Sequence, residues 1–100
     1  MSKLILQVRT KDNLLELLAA GESPAWLVSE DHESRLTHVQ IVNWDGTQMI
    51  EGVFDKTGSY RRKNDRDQNR LVIRFLDGHI VNTNPRVEFD GQNPVRFVEG

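Results

Sequence analysis

The chain has no cysteine among its 100 residues, which excludes disulfides, thiolate metal sites and thiol nucleophiles. It also has no apolar run near the roughly 20 residues needed to span a bilayer. The opening stretch Met1-Ser2-Lys3-Leu4-Ile5-Leu6 is too short and too poorly flanked for a secretory signal. Together these absences predict a cytoplasmic protein with no membrane partner. The sequence also lacks a His-Glu-x-x-His pair, a phosphate-binding Gly-rich loop and a Gly-x-Ser-x-Gly elbow, and nothing in it calls for a cofactor or a metal. The expectation is therefore that the protein is not an enzyme.

What is present describes one ordinary domain. A hydrophobic fraction of 37% against 28% charged residues is enough for a single modest core, and a chain of this length is one domain by the usual measure. The formal net charge of −2 hides a strong asymmetry. Residues 56–74 carry seven basic side chains (Lys56, Arg61, Arg62, Lys63, Arg66, Arg70, Arg74) against Asp65 and Asp67, a balance of +5, while the remaining residues balance at −7. A basic element on an acidic body marks a candidate contact surface.

Three Asp-Gly pairs, Asp45-Gly46, Asp77-Gly78 and Asp90-Gly91, lie between apolar or alternating runs. Such pairs are strong signals for tight hairpins, because type I′ turns need φ > 0 at both central residues. The expected strands are Leu4 to Val8, Ala25 to Ser29, Thr37 to Trp44, Gln48 to Phe54, Leu71 to Leu76, Ile80 to Thr83, Val87 to Phe89 and Val95 to Val98. Gly52 marks a bend within its strand. Thr10 to Gly21 reads as a helix with Thr10 as N-cap, a leucine stripe at 14, 15, 17 and 18, Gly21 as C′ residue and Pro24 beyond. Glu30 to Ser34 reads as a charged connection. The predicted fold class is α+β: a short N-terminal helix packed on a strongly bent antiparallel β-meander or small, partly open barrel. Residues 56–70 form a long basic loop or a hairpin extension of their flanking strands.

Two surfaces stand out as candidate sites. Tyr60, Arg61, Arg62, Lys63, Arg66 and Arg70 combine phosphate-contacting cations with one stacking ring, the composition of a nucleic-acid or partner contact. Trp44 precedes a turn on the face opposite Val39 and Ile41, and an exposed tryptophan there makes a partner anchor. His32, His38 and His79 fit no metal-ligand spacing, although His32 sits among Glu30, Asp31 and Glu33. A small hydrolase, the weakest alternative, predicts a pocket with two carboxylates or a histidine of perturbed pKa, and it falls if Glu51, Glu88, His38 and His79 lie far apart and fully solvated.

The run Val39-Gln40-Ile41, Trp44-Asp45-Gly46-Thr47, Gly52-Val53-Phe54-Asp55 resembles the strand, turn and bent strand of the Sm-like RNA-binding barrels. The resemblance covers eleven residues, implies a helix before a five-stranded barrel, and lends no binding residue. The leading expectation is a small non-enzymatic binding or regulatory module acting through protein–protein contact. Its partner is another protein or a second copy joined by an edge strand, with Val95 to Val98 as the candidate edge. The alternative is a small nucleic-acid-binding β-barrel that uses the basic loop 60–70.

Overall fold

The computed structural model describes residues 3–62, 69–89, 91 and 93–99. In chain order the elements are β1 (Leu4–Thr10), α1 (Leu14–Ala20), β2 (Glu22–Trp26), α2 (Glu30–Arg35), β3 (His38–Asn43), β4 (Gln48–Phe54), β5 (Tyr60–Arg61), β6 (Leu71–Asn82) and β7 (Val95–Glu99). They build a small mixed α+β domain whose curled open sheet forms a half-barrel accompanied by two helices. The strand order is β2-β6-β4-β3-β1-β7, with β5 pairing β6.

Neighbouring strands are antiparallel except β1 and β3, which run parallel from Ile5↔His38 to Thr10↔Asn43. The sheet is therefore mixed, not a pure antiparallel meander. The chain crosses from β1 through α1, β2 and α2 before returning beside β1, as a parallel pair requires. This order also departs from the Sm-like barrel, because a strand precedes the helix and pairs parallel to β3.

The core lies on one face of the sheet. Leu4, Leu6 and Val8 of β1, Val39 and Ile41 of β3, Ile50 and Phe54 of β4, and Leu71, Ile73 and Phe75 of β6 are buried together with Leu14, Leu17, Trp26, Val28 and Leu36. The period-2 alternation of the strands places these side chains on one side. Helix α1 is shorter than its sequence suggests. Asn13, not Thr10, is the N-cap, and its side-chain oxygen accepts from the Leu15 and Glu16 N–H groups. Thr10 instead extends β1 and its hydroxyl accepts from the Asp12 N–H. At the other end Gly21 adopts φ 71° and donates to Leu17 O, the αL cap that glycine favours. Leu14 and Leu17 face the core and Leu18 packs partly against it, while Leu15 is exposed.

Other segments also differ from their sequence signals. The charged stretch 30–35 is a second helix, capped by the Ser29 hydroxyl, which accepts from the His32 N–H, with Glu30, Asp31 and Glu33 in its first turn; acids there complement the helix dipole. The second strand ends at Trp26, before the expected Leu27 to Ser29. Asp77-Gly78 is not a hairpin turn but a bulge inside the continuous strand β6. The β4–β6 register shifts between Glu51↔His79 and Val53↔Leu76, and Asp77 takes φ 55° to absorb the extra residue.

Asp45-Gly46 does join two strands, but only Gly46 has positive φ (76°), and Gly46 N–H donates to Asn43 O across 3.0 Å. The loop is thus a four-residue connection instead of a type I′ pair. A Cβ on Gly46 would lie 2.2 Å from the Val87 carbonyl oxygen, so glycine is required by contact as well as by conformation. Gly91 also has positive φ (67°), but it lies in the irregular return between β6 and β7; residues 87–89 are not a strand.

Candidate functional site

The face opposite the core carries three cross-strand rows, read off the register. The first runs Arg96, Gln7, Gln40, Glu51, His79 across β7, β1, β3, β4 and β6. It is wired in one direction: Arg96 Nε donates to Gln7 Oε1, Gln7 Nε2 to Gln40 Oε1 at 2.8 Å, and Gln40 Nε2 to Glu51 Oε2 at 3.3 Å. A cation at one end and a carboxylate at the other polarise the amides between them. The second row is Val98, Ile5, His38, Val53, Leu76, and the third is Arg9, Val42, Met49, Val81.

A groove of about 280 Å³ opens along the first two rows, lined by Ile5, His38, Glu51, Val53, Asp77 and His79, with Lys3 at its margin. Of the four residues weighed for a hydrolase, His38, Glu51 and His79 therefore share this groove, together with Asp77; Glu88 lies elsewhere, against Arg86. His38 Nδ1 is 2.9 Å from the Thr37 hydroxyl and His79 Nδ1 is 3.3 Å from the Asp77 carbonyl oxygen. Among the described residues no hydrogen bond links either imidazole to a carboxylate side chain, so the base–orienter contact of an acid–base site is lacking. Among those residues, too, no group of three or more His, Cys, Asp or Glu is placed to hold a metal ion.

Beside this groove β6 presents an open edge. β2 pairs only with the first half of β6, from Glu22↔Arg74 to Trp26↔Leu71. Thr83 N–H donates to Thr47 O, which fixes the ladder phase: Val81 and His79 direct their backbone groups to β4, and Ile80 and Asn82 direct theirs outward. Among the described residues no strand pairs with that outer side of 77–82. On its core-facing flank a second groove of about 290 Å³ is lined by Leu14, Leu15 and Ile80, with Asp12, Asn13, Asn43 and Gln48 around them. On the other flank Leu76 is 52% exposed.

The basic segment is built differently at its root and its tip. Tyr60↔Val72, Arg61↔Leu71 and the Arg62 N–H donating to Arg70 O continue the ladder beyond β4. Arg61 is engaged inward: its Nη2 and Nε reach Glu33 Oε1 at 2.6 and 3.1 Å, its Nη1 donates to Asn69 O, and both partners are largely buried, 13% and 23% exposed. Its charge is answered by α2. Arg62 is half-buried, as is Arg70, whose Nε is buried without a hydrogen-bond partner among the described residues. Tyr60 is half-exposed, with its hydroxyl 3.5 Å from Glu22 Oε2. Lys63 and Arg66 lie outside the described residues.

Trp44 is 42% exposed on the open face, beyond the third row. Arg9 Cζ lies 4.0 Å and Lys11 Nζ 4.6 Å from its ring centroid, and Arg9 Nε donates to Trp44 O at 3.0 Å. Neither cation was legible as part of a site, because their meeting with Trp44 depends on the parallel β1–β3 pairing. The other tryptophan, Trp26, is buried and donates its indole N–H to the Ser23 hydroxyl at 3.0 Å.

β7 stands at the far edge of the sheet, and Phe97 stacks on His32 of α2 with ring centroids 4.0 Å apart. The Asn93 side-chain oxygen accepts from the Val95 N–H, which covers one donor of that edge. Among the described residues no helix is long and apolar enough to cross a membrane.

These features define a small α+β half-barrel with one filled face, one open face and two sheet edges. No family model matches the chain, and neither a curated protein nor a solved structure matches it.

Proposed function

We propose that this protein is a small non-enzymatic binding module that takes up an extended segment of a partner protein along the outer edge of β6. One observation carries the reading: among the described residues the second half of a twelve-residue strand is paired on one side only, with the backbone groups of Ile80 and Asn82 directed outward. Aligned unpaired donors and acceptors select an extended backbone, the β-augmentation mode. The flanks supply side-chain selectivity. Successive side chains of an added strand alternate between the groove beside Leu15 and Ile80 and the groove beside Leu76, His79, Asp77 and Glu51. An apolar residue suits the first groove, and a polar or basic one suits the second.

The test is a selection of binders from a library of extended peptides, followed by amide hydrogen exchange of the complex. Protection of the Ile80 and Asn82 amides is expected on binding. Asn82→Pro should abolish binding and leave the fold intact, since that N–H makes no ladder bond to β4 and proline is tolerated at an edge. Binders that leave both amides exchanging and survive Asn82→Pro would sink the reading. Salt-steep binding to oligonucleotides that depends on Arg62 and Arg70 would favour the nucleic-acid alternative instead.

A further inference from the structure

The opposite end of the open face carries a second constellation, independent of the β6 edge. Arg9 is half-buried and fixed twice, by its stack on Trp44 and by its Nε–H bond to the Trp44 carbonyl. Its two terminal nitrogens make no hydrogen bond among the described residues, and Arg9 and Trp44 together wall a cavity of about 310 Å³ completed by Asp45, Arg86, Val87, Glu88 and Phe89. Lys11 stands over the same indole ring. Glu88 is answered by Arg86 at 3.3 Å, which leaves Arg9 facing Asp45 within the cavity. A guanidinium whose rotamer freedom is already spent, with its fork unengaged, is preorganised for a bidentate oxyanion. The charged walls balance, Arg9 and Arg86 against Asp45 and Glu88, so the unengaged fork of Arg9, and not net charge, selects an oxyanion there.

We infer that this corner is an oxyanion site for the phosphate group of a small organic phosphate, held by the Arg9 fork, and that Val87 and Phe89 cover the organic part. The site has a built-in reporter. Trp44 borders the cavity, whereas Trp26 is buried with its indole N–H on Ser23, so the two indole resonances separate ligand binding from a change in fold.

The experiment titrates methyl phosphate, acetate and chloride at constant ionic strength, following the Trp44 indole resonance and tryptophan fluorescence. Methyl phosphate should give a saturable shift of Trp44 with Trp26 unmoved, and acetate and chloride should bind more weakly. Arg9→Gln should weaken methyl phosphate by about tenfold or more, and Arg9→Lys should weaken it as well, because the charge stays but the fork is lost. Asp45→Asn should tighten it by removing the opposing carboxylate. The inference is overturned if acetate or chloride matches methyl phosphate, or if Arg9→Lys binds as the parent does. An oligonucleotide that shifts Trp44 where methyl phosphate does not also overturns it.

Discussion

The same strands make two unlike faces. On one, Leu6, Val8, Val39, Ile41, Ile50, Leu71 and Ile73 are sealed from solvent. On the other, one residue along each strand, stand Gln7, Gln40, Glu51 and His79 beside Val53 and Leu76. The first face is committed to folding and its worth is measured in stability. The second is mixed: Val42, Val72 and Met49 are buried there as well, while the exposed Val53, Leu76 and His79 are free to be chosen for contact. Alternation along a strand thus separates the two demands at single-residue resolution.

Substitutions on the two faces should therefore differ in what they change. The largest loss is expected for Ile50→Ala, fully buried at the centre of the core, at about 2–5 kcal/mol, read by urea unfolding. Gly46→Ala follows, at about 1–3 kcal/mol, because the new methyl group meets the Val87 carbonyl in a left-handed backbone; the same melt should show the return segment losing amide protection first. Arg61→Met is expected to cost about 1–2 kcal/mol, since it leaves the largely buried Glu33 carboxylate unanswered. Pairing it with Glu33→Gln should recover part of that loss in a double-mutant cycle. The smallest effect belongs to the open face. Leu76→Ser should shift stability by no more than about 0.5 kcal/mol while weakening an edge-bound peptide severalfold. A loss of core-like size at Leu76 would erase the contrast between the faces.

Local chemistry was readable from the sequence, but distant pairing was not. The helix end at Gly21, the burial of Leu14 and Leu17, the strand cores and the turn at Asp45-Gly46 all follow from signals within a few residues, whereas Leu15, in the same stripe, is exposed. Asp77-Gly78 misleads because the conformation a turn demands also suits a bulge: Asp77 at φ 55° serves β6 without reversing it. The capping serine and first-turn acids of α2 were present in Ser29 to Glu33, yet its six residues bury none of their side chains and show no apolar stripe. The parallel β1–β3 pair leaves no local trace, and with it went the approach of Arg9 and Lys11 to Trp44. The same holds for the row from Arg96 to His79, whose members come from five separate strands. Arg61 looked like surface charge; only the fold reveals that Glu33, 28 residues away, answers it.

The neighbour relation of β1 and β7 also has a temporal side. Gln7 and Arg96 are 89 residues apart in the chain yet directly opposed. Leu6 therefore meets Phe97 long after it is made, whereas β3 follows β1 by 33 residues and is available much earlier. Closing so long a loop yields contact only late, which slows folding relative to a chain of local hairpins. Until then the β7 side of β1, with its apolar Leu4-Ile5-Leu6, is an open edge that must be kept from other nascent chains.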